Sequence, residues 1–444
     1  METGSKSRIA LFILLFILLL LIVLPILGNT PLSKNELSIL AFAESIKSFD
    51  LKYIFANYNN NITLTLYACS VNLLSALTGE YTNFILRLPS AFIIILLTLS
   101  LYRFDGTSKK LNRSFLASLL FLSCGLINVI TFYATPIVIP AAFFILSLIS
   151  LYHSIRHKSK RALFMLTVSA TIVSLLLGAF TLIIIGMTAY IFLATSKDAT
   201  FPSYLNITVS LIISIVISYL LLLIIVGDPF STERFMVMSI YENIFPSIDN
   251  YIYTFSIYIV FAIFPWSLPL IISLFWLSIN PKWIISKFRS LKALQKFGIM
   301  IFIISIPTFF FFSNISFIFI IASIFFNMPV VVSYLLSQLD NHPIVWRITG
   351  GICGFIAGIG TGIFIALKSG ITLSLFGLSI SIANNHWSVW CIITLFLIYS
   401  SLYSLWRSKR DLKRNNRYLY NILTLYILSL MLYIGYIGHD ILIN

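Results

Sequence analysis

The chain has 444 residues, of which 59% are hydrophobic and 10% charged, and its mean hydropathy is +1.00. A soluble domain carries about 25% charged and about 45–50% apolar residues, so a water-exposed globule is excluded and lipid must solvate much of this chain. The net charge of +15 does not mark a nucleic-acid binder, because the cations fall in short breaks between apolar runs, the pattern of membrane proteins.

In chain order, the first apolar run, Ile9 to Gly28, follows Lys6 and Arg8. About 20 apolar residues span a bilayer and exceed a signal peptide's core, so this run is expected to be an uncleaved first helix. Further spans are predicted at 84–101, 114–132, 136–152, 162–176, 178–195, 204–226, 251–278, 298–312, 317–337, 347–367, 386–406 and 419–439. The expected fold is therefore all-α and integral to the membrane, with about thirteen transmembrane helices.

Charge tests this map independently. With the N-terminus in the cytoplasm, about 23 of the 29 basic residues fall in cytoplasmic loops, in clusters such as Arg156–Arg161, Lys282–Lys296 and Arg407–Arg417. About 9 of the 14 acids fall outside, among them Glu36, Glu80, Asp228, Glu233 and Glu242. A missed span would scramble this asymmetry. The map places the N-terminus inside and the C-terminus outside.

Two outer segments interrupt the spans, at 29–83 and 227–250. In the first, Ser33 followed by Glu36 fits a helix capping box. Leu37, Leu40, Ala41 and Phe42 then alternate with Glu44, Ser45 and Lys47 at helical spacing, which predicts an amphipathic helix at the membrane interface. The polar turn Asn57–Asn61 leads to a second apolar stretch, Ile62–Leu77. Asn61-Ile62-Thr63 is a glycosylation sequon on the outer side, a triplet that also arises by chance.

Other features are bland. Cys69, Cys124, Cys353 and Cys391 are scattered, without a disulfide framework. The five histidines lack metal-ligand spacing, and no metal motif occurs. Gly350, Gly354, Gly358 and Gly362 share one helix face, which suits close helix packing far better than phosphate binding. Ionisable residues are nearly absent from the spans, which weighs against an ion-coupled transporter.

Several patches together resemble the GT-C glycosyltransferases, and within them the bacterial aminoarabinose transferase and protein O-mannosyltransferase group. They are Asn35-Glu36 before an interfacial helix, Gly79-Glu80, Arg87-Leu88-Pro89-Ser90-Ala91 entering the second span, Ala134-Thr135-Pro136, Tyr241-Glu242-Asn243 and Pro265-Trp266-Ser267-Leu268. The resemblance covers the chain to about residue 340. It implies a transmembrane core over 1–340 that includes the outer loop 29–83, and the apolar runs beyond it predict further transmembrane helices over 341–444. It also implies a sugar carried from a polyprenyl-phosphate donor to a lipid or protein acceptor outside a bacterial inner membrane.

The departures lie at chemically important positions. The family's expected catalytic Asp is Asn35, the acid after Thr-Pro is Ile137, and a Lys-Pro-Pro segment is replaced around Ile62-Thr63-Leu64. Inverting transfer needs a carboxylate to take the acceptor's proton and cations to meet the departing phosphate. Glu36 fits both a proton acceptor and a helix cap. Arg87 fits both a phosphate ligand and an interfacial anchor. Arg234, Glu80, Tyr241 and Glu242 complete the candidate set for substrate and phosphate binding. Three readings follow: a membrane glycosyltransferase, a catalytically degenerate GT-C-like subunit that binds lipid or a membrane protein partner, and a flippase or transporter.

Overall fold

The computed structural model describes residues 32–46, 58–105, 111–195 except 123, 201–226, 293–341 except 312, the strand residues 373–375 and 378–380, and scattered residues between 12 and 28. The helices are α1 (Lys34–Ser45), α2 (Tyr58–Thr78), α3 (Asn83–Asp105), α4 (Leu111–Leu122), α5 (Gly125–Phe132) and α6 (Val138–His157). They continue with α7 (Lys160–Leu177), α8 (Phe180–Thr195), α9 (Phe201–Val226), α10 (Ala293–Phe311) and α11 (Ser313–Asn341). A short antiparallel pair, β1 (Leu373–Leu375) with β2 (Leu378–Ile380), aligns Ser374 with Ser379.

The protein is a multi-pass membrane protein, and its described residues are helical apart from that small hairpin. Four described helices are long and apolar enough to cross a bilayer: Asn83–Phe104, Val138–His157, Lys160–Leu177 and Ser203–Leu221. The predicted span at 114–132 is not one straight rod. It breaks into α4 and α5, bent by 67°, where Cys124 takes an extended conformation and caps α5 without a side-chain bond. The pair predicted at 162–176 and 178–195 is cut at Gly178, whose φ of +90° suits a residue without Cβ. α10 and α11 occupy the predicted spans at 298–312 and 317–337. The expected spans at 251–278, 347–367, 386–406 and 419–439 lie outside the described residues, as does the Gly350–Gly362 ladder, so the count of thirteen stays an expectation.

Within the bundle, direction is fixed by side-chain contacts. α3 and α6 both start beside the α5–α6 connection, where the Ser90 hydroxyl accepts from the Thr135 amide at 2.9 Å. Both end at an aromatic cluster, where Phe104 meets Tyr152, His153 and Phe326 edge-on at 5.3–5.6 Å. Phe297 of α10 joins through Tyr152, Phe192 and Phe326. At 1.5 Å per residue, the sixteen-residue step from Arg87 to Arg103 spans about 24 Å, so the two ends lie near opposite faces of a bilayer whose hydrocarbon is about 30 Å thick.

Lipid as solvent explains two further features. Large apolar side chains lie open on α7, α8 and α9, including Phe164, Ile183, Met187, Ile212 and Leu220. In water such a surface would drive aggregation; in hydrocarbon it costs nothing. Conversely, α7 and α9 meet along hydroxyls. Thr167 and Ser210 lie 2.7 Å apart, Ser174 and Ser218 2.9 Å apart, and Ser214 donates to the Thr167 carbonyl at 3.1 Å. Small hydroxylated residues let helix backbones approach and hydrogen-bond across a seam where no hydrophobic force separates protein from lipid.

A close backbone approach joins α10 to α11. A Cβ added at Gly298 would stand 2.5 Å from the Phe326 carbonyl oxygen, and Asn327 Nδ2 donates to the Gly298 carbonyl at 2.9 Å. Gly298→Ala should therefore cost about 1–3 kcal/mol by overpacking, seen as a lowered thermal unfolding midpoint in detergent. An unchanged midpoint would show that the two helices do not cross this closely.

Candidate functional site

Two of the predicted site residues, Glu36 and Arg87, meet at the junction of α1, α2, α3 and the α5–α6 connection. The capping box read from the sequence forms at the start of α1. Ser33 Oγ accepts from the Glu36 amide at 3.3 Å, and Glu36 Oε2 accepts from the Ser33 amide at 2.9 Å. This satisfies two orphan donors of the helix end and aims the Glu36 carboxylate away from solvent, at 1% exposure.

Arg87 on α3 meets that carboxylate in a fork. Nε lies 2.7 Å from Oε1 and Nη2 2.9 Å from Oε2, while Nη1 donates to the Leu27 carbonyl at 3.0 Å. Arg87 is fully buried, and its guanidinium lies 5.7 Å from the Tyr133 ring centroid, in cation–π range. Glu36 Oε1 also accepts from the Ala134 amide at 2.9 Å. The carboxylate thus receives four hydrogen bonds from three segments. Burial pushes the Glu36 carboxyl up, but the bonds from Arg87, Ser33 and Ala134, with the charge of Arg87, outweigh it and hold the group below the usual range.

A second layer supports the first. Tyr67 on α2 donates to the Leu86 carbonyl and shares a bond with Ser90, each at 2.8 Å. Ser90 lies one turn beyond Arg87, so the two residues present adjacent polar groups on α3. Asn72 Nδ2 donates to the Ala43 carbonyl at 3.0 Å, and the Tyr81 hydroxyl donates to Asn72 Oδ1 at 2.9 Å, tying α2 to α1. Ile39, Ala43, Val71, Ile85 and Leu86 fill the space between them as a small separate core.

The predicted site residues separate as follows. Glu36 and Arg87 come together and are buried. Asn35 is exposed on α1, and Glu80 is exposed after Gly79. Ile137 is half-buried beside the junction. Arg234, Tyr241 and Glu242 lie outside the described residues. Sequence reasoning missed Tyr67, Asn72, Ser90 and the Ala134 amide. Ser90 and Ala134 sit inside patches that carried the resemblance, but nothing in their identity announced a partner. Among the described residues no group of His, Cys, Asp and Glu is placed to hold a metal.

Chemically, the pair is closed. An ionised carboxylate with four donors has no lone pair to spare for an acceptor's proton, and both guanidinium edges that face Glu36 are spent on it.

No protein-family model matches the chain, and neither does any curated protein. Among solved structures it is similar to ArnT from Cupriavidus metallidurans in the apo state, with a TM-score of 0.64 at 14% identity, over 99% of this chain and 78% of that one. It is likewise similar to the same protein bound to undecaprenyl phosphate, with a TM-score of 0.65 at 13% identity, over 96% of this chain and 77% of that one. The chain has a GT-C-like membrane fold.

Removing one member of a buried ion pair strands the other and costs about 3–5 kcal/mol. Arg87→Met and Glu36→Gln should each lower the unfolding midpoint markedly, and the double variant Glu36→Leu/Arg87→Met should recover most of the loss. Additive single effects in that double-mutant cycle would show that the two side chains do not interact.

Proposed function

We propose that this chain is a membrane glycosyltransferase that uses a polyprenyl-phosphate-linked sugar as donor and works on the extracytoplasmic side of a bacterial inner membrane. The observation that carries the reading is the likeness over nearly the whole chain to ArnT, one structure of which holds undecaprenyl phosphate. The acceptor is a lipid or protein presented at the same face. The positive-inside distribution of cations supports that face being outside, since it places the 29–83 segment away from the cytoplasm.

In this reading Glu36 and Arg87 are positioning residues. They hold the interfacial helix α1 against α3 and the α5–α6 connection, and so shape the floor on which donor and acceptor meet. The proton acceptor must then be another carboxylate of the outer segments. Glu80 and Glu242 are the candidates, with Arg234 and Tyr241 as partners of the donor phosphate.

A second reading is favoured by one specific pair of facts. The position expected to hold the catalytic Asp is Asn35, and the neighbouring Glu36 is consumed by Arg87. A protein built this way can bind a polyprenyl phosphate without turning it over, as a lipid-binding or assembly subunit.

One assay separates the two. Purified full-length protein is incubated with undecaprenyl-phosphate-linked sugars and a crude lipid or protein acceptor, and released undecaprenyl phosphate is measured. Turnover is expected, and Glu80→Gln or Glu242→Gln should lower it about 100-fold or more, the usual worth of a general base. Retained lipid without release favours the second reading, and neither binding nor release overturns both.

A further inference from the structure

We propose that the turn between α6 and α7, on the face opposite the Glu36–Arg87 junction, is a binding site for an anionic phospholipid, with its headgroup phosphate on the turn and its acyl chains along α7. The aromatic cluster of Phe104, Tyr152, His153, Phe297 and Phe326 gathers the ends of α3, α6 and α10 with the middle of α11. Arg103 immediately precedes Phe104, and Lys296 immediately precedes Phe297, so two cations border the cluster from α3 and α10. The turn itself contributes Arg156, His157, Lys158, Lys160 and Arg161, all exposed.

Local structure makes this turn short of negative charge. α7 starts at an N-cap, Ser159, whose hydroxyl accepts from the Ala162 amide at 3.3 Å. The positive end of a helix dipole favours acids in the first turn, yet α7 carries Lys160 and Arg161 there and no acid. Lys158 joins the two helices in the left-handed region, with φ of 50°, which keeps the turn tight and its cations close. Over residues 100–161 and 293–300 the sequence holds a single acid, Asp105.

An independent feature selects a lipid over a free anion. Phe164, Met165 and Val168 are exposed at 68%, 56% and 41%. They lie three to eight residues beyond Lys160 and Arg161, which puts them on the same face of α7, one to two turns deeper. Cations at the rim above an open apolar strip match an amphiphile with an anionic head and hydrocarbon tails. Clustered cations beside the ends of membrane-spanning helices attract anionic headgroups.

The test uses purified full-length protein in neutral detergent and native mass spectrometry. The probes are phosphatidylglycerol, cardiolipin, phosphatidylcholine and inorganic phosphate. Wild-type protein is expected to retain the two anionic lipids roughly tenfold or more over phosphatidylcholine. Lys160→Gln/Arg161→Gln should bring that ratio to within about twofold while leaving the unfolding midpoint in phosphatidylcholine unchanged. If that variant fails to fold, Lys158→Gln/Lys160→Gln is expected to reduce the same ratio. Equal retention of anionic and zwitterionic lipids, or a preference that survives in a folded variant, overturns the proposal. So does displacement of the lipid by inorganic phosphate at equimolar concentration, which would mark a free-anion site.

Discussion

The architecture of the junction between α1, α2, α3 and the α5–α6 connection depends on one buried ion pair. Two charges taken out of water cost several kcal/mol each, a penalty recovered only with good geometry and full hydrogen bonding. The Glu36–Arg87 pair meets both conditions: a two-point fork, the Ser33 and Ala134 amides on the carboxylate, and the Leu27 carbonyl on the guanidinium. Those partners come from the end of the first apolar run, from α1, from α3 and from the α5–α6 connection. Four segments distant in sequence thus share one electrostatic centre, and displacing any of them exposes a buried charge. That dependence is what anchors α1, a helix only twelve residues long, too short to be stable by itself in water.

Below the pair, stability changes character. The bundle is held by interlocking aromatic rings on its inner faces and by hydroxyl contacts along the α7–α9 seam. Apolar side chains there face lipid as readily as protein, so specificity comes from shape and from the few polar groups that must find partners. Ser118 on α4 shows the economy of this: its hydroxyl lies within bonding distance of its own helix carbonyl at Ser114 and of the Thr98 carbonyl across on α3. The GT-C-like fold therefore presents a rigid base, with its charged centre confined to one face and its basic rim to the other.

Much of this was legible in the sequence. Hydropathy located most of the described helices, because a bilayer imposes length and polarity on a span whatever its neighbours do. The capping box at Ser33 and Glu36 was readable because it is local, three residues apart on one turn. The partner of Glu36 was not readable in the same way. Arg87 lies 51 residues away, and an Arg at the end of a span has a common alternative fate as an interfacial anchor. The patches that carry the resemblance mark both as site candidates; that they neutralise each other is a fact of tertiary packing. The bend between α4 and α5 escaped for a related reason, since Cys124 and Gly125 interrupt a run whose hydropathy is continuous. Tyr67, Asn72 and Ser90 escaped because a polar atom in an apolar stretch does not state whether it bonds to its own helix or to another.

The carboxylate of Glu36 holds the α5–α6 connection as well as Arg87. Amide hydrogen exchange at Ala134 measures this most directly, because that N–H donates to Glu36 Oε1 and belongs to no helix. Slow exchange at Ala134 in the wild-type protein, accelerated in Glu36→Gln while α7 and α9 keep their protection, is the result expected. Rapid exchange at Ala134 in the wild type, or exchange unaltered by Glu36→Gln, would contradict it.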